Sequence, residues 1–189
     1  DLSGHERQHG HDSRGGGGAM STPTGLVSPV GSEQFPWVET CEPGGMSGAT
    51  GIANYGYWFR VSVRRPITVT QMTISVGTAS GEAVLAIYQS DGTTLTRLAT
   101  TGAFTVVGSG GATQTVALGS SVHLVPGVSY YFALSIDNAT ASFNRLTSNV
   151  AIGGIRSRWM QKSSSHPLPA SVALSALSAL NTVYWILAD

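Results

Sequence analysis

The sequence predicts an all-β protein, a jelly-roll-like β-sandwich of about ten short strands. Several segments alternate apolar and polar side chains, as strands with one buried face do. Glycines, serines and Pro-Gly pairs separate these segments at intervals of about 8–12 residues, which is typical of sandwiches and barrels. Charged residues make up 11% of the 189-residue chain and hydrophobic residues 41%, so the chain can form a packed core.

The clearest strand is predicted at residues 55–64, where side chains alternate between two chemically different faces. Trp58 and Arg60 share the face that is expected to lie outside the core. The opposite face, which is expected to point into the core, carries Tyr55, Tyr57, Phe59, Val61 and Val63.

The next segments predict a strand with a bulge, a central strand and a hairpin. Residues 67–76 change the phase of their alternation near Gln71, which indicates a β-bulge. Residues 83–89 are apolar on both faces, as in a strand near the middle of a sheet. The Asp-Gly pair at 91–92 predicts a tight turn, after which residues 95–100 pair back.

The second half of the chain continues the same pattern. Residues 128–136 alternate again, with Phe132 and Leu134 on the face expected to be buried. Residues 170–180 space their leucines like a helix, but nearby prolines and several serines favour a strand or irregular structure. Further strands are predicted at residues 104–107, 114–118, 122–125, 141–146, 155–161, 171–177 and 182–187.

Residues 1–34 lack both strand and helix periodicity and contain a run of four glycines, so they predict a flexible N-terminal arm before a domain at 35–189. Within the arm, His9 and His11 would lie on the same side of an extended chain. Three copies of the chain around a threefold axis could then offer these imidazoles to one transition metal. The alternative is a solvated polar arm with no cofactor.

Charge and hydropathy exclude several partners. The formal net charge is +0, so we expect no binding to nucleic acid or to an anionic membrane. No apolar run approaches the roughly 20 residues of a membrane-spanning helix, so we expect no membrane insertion. Cys41 is the single cysteine, so it cannot form an internal disulfide and is expected to be a small core residue.

The sequence offers little for catalysis, and we expect no enzymatic activity. Acidic residues are few, several lie in turn motifs, and no G-x-S-x-G nucleophile motif occurs. Glu39 and Glu42, which flank Cys41, are the only close carboxylate pair in the predicted domain. A glycosidase would require both of them to face one cleft.

Aromatic residues beside arginines are the best candidates for a binding surface. Flat aromatic faces next to guanidinium donors suit sugar rings and protein interfaces alike. The alternative is that the tryptophans cover the core or the ends of the sandwich. The candidate ligand or partner residues are Trp58, Arg60, Arg156, Arg158 and Trp159.

Four segments resemble tail fibre and minor tail proteins of bacteriophages. Residues 9–14 (HGHDSR) are similar to an H-x-H-D-x-R element of fibre shafts, and residues 82–98 resemble the strand–turn–strand of fibre-tip jelly rolls. Residues 124–137 (LVPGVSYYFALSID) and 166–189 resemble a later strand and the closing portion of such chains.

This resemblance implies a virion protein that assembles as a homo-oligomer, expected to be a trimer. It implies that the arm contacts other virion proteins and that the sandwich attaches to a host-surface receptor, with a glycan as the expected ligand. One alternative is a capsid or tail decoration protein without a ligand. Another is a carbohydrate-binding module of a secreted bacterial protein, which would be a monomer.

Overall fold

The computed structural model describes residues 38–39, 47–147, 159–180 and 182–189. Regular structure in these ranges consists of β-strands and one 3₁₀ turn, Leu174–Ala176. The predicted all-β sandwich is therefore confirmed. Within the same ranges, no helix is long and apolar enough to span a bilayer.

The described chain forms fourteen strands. Several of them contain only two or three residues, which explains why more strands are observed than predicted. In chain order they are β1 (Val38–Glu39), β2 (Ser47–Thr50), β3 (Gly56–Val61), β4 (Ile67–Thr78), β5 (Glu82–Ser90), β6 (Thr94–Thr105), β7 (Ser109–Leu124), β8 (Tyr130–Ile136), β9 (Ser142–Thr147), β10 (Trp159–Lys162), β11 (Ser171–Ala173), β12 (Ser178–Ala179), β13 (Thr182–Tyr184) and β14 (Ile186–Ala188).

The strands form two antiparallel sheets of seven strands each. Sheet A has the order β1-β14-β4-β9-β13, with β2 paired to β9 and β7 paired to β4. Sheet B has the order β11-β6-β5-β8-β3-β10-β12. The chain crosses between the sheets from β3 to β4 to β5 and again from β7 to β8 to β9, which gives the sandwich its jelly-roll-like connections.

Two local predictions are confirmed. The pairing of β4 with β7 shifts register between Val69 and Gln71, at the predicted bulge. The predicted Asp-Gly turn joins β5 to β6, and the Asp91 carboxylate accepts hydrogen bonds from the backbone N–H groups of Thr93 and Thr94 at 2.8 and 2.7 Å. Short acidic side chains stabilise turns in this way because they satisfy the free N–H groups.

Two other predictions need correction or detail. The segments predicted separately at 114–118 and 122–125 belong to one long strand, β7, because the intervening residues bulge out opposite Thr70 without ending the pairing with β4. Residues 171–179 form two short strands around the 3₁₀ turn. The choice of strand or irregular structure over a helix is therefore confirmed for this segment.

The main core lies between the two sheets. As predicted, Tyr57 and Phe59 of β3 and Phe132 and Leu134 of β8 point into it. Burying each such side chain stabilises the fold by about 1.5–3 kcal/mol before entropic costs. Other core members from both sheets are Met72, Ile74, Leu85, Ile87, Leu124, Ile136, Phe143, Val183, Tyr184 and Ile186.

A second apolar cluster covers the opposite face of sheet B. Its centre contains Trp58 of β3, Tyr88 of β5 and Tyr131 of β8, which alternate with the residues of the main core. It is covered from outside by residues 163–180, which we call the strap. The strap contributes Leu168 and Val172, with Leu174 and Leu177 packed at the margin.

Backbone pairing holds the strap across sheet B. The strap leaves β10, which is paired to β3, and reaches the opposite edge of the sheet, where β11 pairs with β6. Arg97 Nη1 donates to the carbonyl of Leu168 at 2.6 Å, and the Tyr88 hydroxyl donates to the carbonyl of Pro169. After the 3₁₀ turn the strap returns to pair β12 with β10, so it crosses the outer face of the sheet twice.

Candidate functional site

A cleft opens between the outer face of sheet B and the returning part of the strap. Its volume is about 480 Å³, within the range of about 300–1,000 Å³ that is typical of ligand sites. Strands β3 and β8 form its floor, the β5–β6 turn forms one end, and β10 with the strap forms a side wall. The lining residues are Arg60, Ser90, Gly92, Ser129, Tyr131, Met160, Leu174, Leu177 and Ala179.

Arg60 is positioned by the alternation of β3. Because Phe59 and Val61 point into the main core, Arg60 points to the outer face, and it is the one exposed residue of this strand. The Arg60 guanidinium donates a hydrogen bond from Nη2 to Ser129 Oγ at 3.0 Å. This contact directs the guanidinium along the floor of the cleft, toward the residue that precedes β8.

Tyr131 lies directly across from Arg60 in the β3–β8 pairing. Its side chain is 5% exposed and belongs to the cluster under the strap. Burial raises the pKa of the Tyr131 phenol above its ordinary value, and the nearby positive charge of Arg60 only partly opposes this rise. The phenol therefore stays protonated near neutral pH and can donate as well as accept a hydrogen bond.

The two sides of the cleft differ in polarity. Ser90, Ser129 and Arg60 supply polar groups on one side, whereas Met160 and Leu177 belong to an apolar wall on the other. Arg60 is the only charged side chain among the described residues that line the cleft. The site can therefore bind a small ligand that has a polar edge, an apolar face and negative charge.

The prediction that Trp58 belongs to an exposed binding surface is wrong. Its relative exposure is 0%, and its indole packs edge-on against the ring of Tyr88 with centroids 6.1 Å apart. Trp58 does share the outer face of sheet B with Arg60, as the alternation indicated. The strap covers this part of the face, whereas Arg60 lies farther along β3 at the open cleft.

Trp159 lies away from the cleft, and its role in binding a ligand or partner stays a prediction. Trp159 of β10 pairs with Phe59 of β3 and packs, half-buried, against the main core between the sheets. It therefore lies on the opposite face of the sheet from Arg60, because Arg60 and Phe59 are adjacent in β3. Of the three predicted surface residues that lie in the described ranges, Arg60 is the one that lines the cleft.

Several other predictions fall outside the described residues. Arg156 and Arg158 are among them, and so are the arm with His9 and His11 and the Cys41–Glu42 region. The possible metal site of the arm and the Glu42 member of the Glu39–Glu42 pair therefore lie outside these residues as well. Among the described residues, His, Cys, Asp and Glu side chains form no group of three or more that could hold a metal ion.

Sequence reasoning missed Tyr131, Ser129 and the strap residues of the cleft. A signal was present, because residues 130–136 and 83–89 are apolar on both faces. Such strands must be covered on both sides. The sequence did not reveal which segment provides the second cover.

A serine, a histidine and an aspartate also come together where the strap begins, but they do not form a nucleophilic site. Ser135 Oγ lies 3.0 Å from His166 Nδ1. Burial acts to raise the pKa of Asp137, but hydrogen bonds from the Glu82 N–H and the Asn138 amide, with a smaller effect of His166, hold it below its ordinary value. Ser135 is 0% exposed, so a substrate cannot reach its hydroxyl. The Ser135–His166 contact instead links the strap to the end of β8.

In the cleft, a guanidinium and hydroxyl groups thus face an apolar wall. Neither a scan against protein-family models nor a search of curated proteins finds a match for this chain.

Proposed function

We propose that the chain is a non-catalytic attachment module of a virion appendage, a bacteriophage tail fibre or tail-tip protein, that binds a host-surface glycan in the Arg60 cleft. The observation that carries this proposal is the cleft itself, which combines a guanidinium, hydroxyl groups and an apolar wall in a ligand-sized space. The virion part of the proposal is supported by the sequence resemblance to phage fibre and minor tail proteins.

A sugar suits the two sides of the cleft. Sugar rings present hydroxyl groups at their edges and apolar C–H groups on their faces. Arg60, Ser129 and Tyr131 supply hydrogen-bonding groups for the edges. Met160, Leu174 and Leu177 supply an apolar surface for the C–H face of the ring. In the sequence analysis, Trp58 and Trp159 were the residues expected to form such a surface.

Assembly is the second part of the proposed mechanism. A small open cleft gives a weak individual site, and several copies on one oligomer would raise the avidity for a surface that displays many glycans. We therefore propose a homo-oligomer, a trimer, whose arm at residues 1–34 contacts neighbouring virion proteins. The assembled protein would act outside the cell as part of the virion.

A glycan array with matched tryptophan variants tests the site. Ala179 lines the cleft and is exposed, so Ala179→Trp should fill the cleft and abolish glycan binding. Ala173 is an exposed residue of the same strap that does not line the cleft, so Ala173→Trp should bind like the unmodified protein. Circular dichroism of both variants checks that the sandwich is retained.

Light scattering on the full chain tests assembly. A trimer that binds glycans through the cleft supports the proposal. A trimer that binds no glycan would instead indicate a decoration protein, and a monomer that binds glycans would indicate a carbohydrate-binding module. Loss of binding in Ala173→Trp but not in Ala179→Trp would remove the cleft from the site.

A further inference from the structure

We infer that the cleft selects glycans that carry a carboxylate, and that the guanidinium of Arg60 binds this carboxylate. This inference rests on the proposed glycan-binding function and adds the chemical class of the ligand. It starts from the hydrogen bonds and the charge around Arg60.

The guanidinium of Arg60 keeps free donors. A guanidinium has five N–H donors in one plane. In the described part of the chain, Arg60 directs one of its donors to the neutral hydroxyl of Ser129. Because Arg60 is exposed, the remaining donors are available to a ligand in the cleft.

The charge of Arg60 is not balanced by its surroundings in the cleft. No acidic side chain is among the described residues that line the cleft. Asp91, which lies between Ser90 and Gly92, directs its carboxylate to hydrogen bonds within the β5–β6 turn and is not among the described lining residues. An anionic group on the ligand would therefore supply the missing counter-charge.

One guanidinium fits a carboxylate better than it fits a phosphate. A carboxylate carries one negative charge and presents two oxygens in a plane, which match two parallel N–H donors of arginine. A phosphate monoester carries more negative charge near neutral pH, about −1.5 to −2, and a single arginine leaves part of it uncompensated. The apolar wall beside Arg60 would make this excess charge costly.

The neighbours of Arg60 would orient both the guanidinium and a bound sugar. Ser129 holds one edge of the guanidinium, and the protonated phenol of Tyr131 lies across the strand pair from it. A sugar carboxylate on Arg60 would place the ring between Tyr131 and the wall that contains Leu177. The acidic group and the apolar face of one sugar would then be recognised together.

The test uses an array of matched glycan pairs that differ in whether one sugar carries a carboxylate or a neutral hydroxymethyl group, with sulfated analogues as a third arm. The unmodified protein should bind the carboxylate members more tightly by roughly ten- to a hundredfold, the range for hydrogen bonds to charged groups. Arg60→Gln should remove this preference. Arg60→Lys should keep part of it, because lysine retains the charge but not the planar pair of donors.

Arg65→Gln is the matched control, since Arg65 is exposed, lies outside the cleft and carries the same charge. It should leave the preference unchanged, and thermal unfolding of all variants should confirm an intact fold. Equal binding of acidic and neutral members overturns the inference and leaves the proposed function intact. Tighter binding of the sulfated members overturns the carboxylate assignment, and no binding to any glycan overturns both proposals.

Discussion

The two apolar regions of this protein are built differently. The main core lies between sheets A and B, and its members come from strands of both sheets. The outer cluster lies on the other face of sheet B, and within the described part of the chain it is the strap that closes over it. Phe132 and Ala133, which are adjacent in β8, are both 0% exposed, yet they belong to different clusters.

This difference shows that one strand can serve two purposes. The inner face of β8 holds the sandwich together, whereas its outer face holds the strap and, beyond the edge of the strap, carries the cleft. The strap is held by short strand pairings and by side-chain hydrogen bonds rather than by a second full sheet. We therefore expect the outer cluster to loosen before the main core unfolds.

The largest expected effect comes from removing the same side chain in the two regions. Leu134 in the main core and Leu168 in the strap are almost completely buried. Leu134→Ala should lower the free energy of unfolding by about 3–5 kcal/mol, because packed strands on both sides cannot fill the cavity. Leu168→Ala should lower it by about 2–3 kcal/mol, because the strap can relax inward. Urea denaturation measures both values.

Hydrogen exchange distinguishes how the two variants lose stability. Leu168→Ala should speed exchange in the strap, including β11, while β8 stays protected. Leu134→Ala should speed exchange throughout both sheets. If Leu168→Ala instead speeded exchange equally in all strands, the strap would unfold together with the sandwich, and the outer cluster would not be a separate, weaker region.

A smaller effect is expected from removing the hydroxyl that holds the strap. Tyr88→Phe leaves the carbonyl of Pro169 without this donor, which should cost about 1–2 kcal/mol. Exchange at Leu168 and Ala170 should accelerate. Tyr130→Phe is the control, because the Tyr130 hydroxyl accepts from the Val125 N–H at 3.2 Å, away from the strap. Equal acceleration of strap exchange in both variants would contradict a local role for Tyr88.

The smallest effect concerns pH and the turn that anchors the returning strap. Hydrogen bonds from the backbone N–H groups of Thr93 and Thr94, and from the Thr93 hydroxyl, lower the pKa of Asp91 in the folded protein. The Leu174 N–H in turn donates to the carbonyl of Thr93 at 2.8 Å. Ionised Asp91 therefore stabilises the fold above its unfolded pKa of about 3.9, and this contribution is lost as pH falls through the lower folded value.

Carboxyl NMR titration should show a midpoint for Asp91 below about 3.9. Thr93→Val removes one donor and should move the midpoint upward. Asp91→Asn should remove this part of the acid dependence of stability, measured by denaturation at a series of pH values. An Asp91 midpoint at or above the ordinary value would show that the turn does not favour the ionised carboxylate.

Much of the fold could be predicted because strand alternation and turn chemistry are local. The two faces of β3, the bulge near Gln71 and the Asp-Gly hairpin each follow from a few neighbouring residues. The site was predicted only in part. Arg60 lies on the outer face, as predicted, and lines the cleft, whereas Trp58 on the same face is buried.

The sequence by itself determined which side chains share a face, where the chain turns, and that its composition favours a neutral all-β domain. The tertiary structure alone decided which part of the outer face of sheet B is covered and which part stays open. The physical reason is that side-chain alternation is set by the geometry of consecutive residues, whereas cover requires contact with a segment distant in the chain. Trp58 and Arg60 therefore look equivalent in sequence, and only the path of the strap separates them.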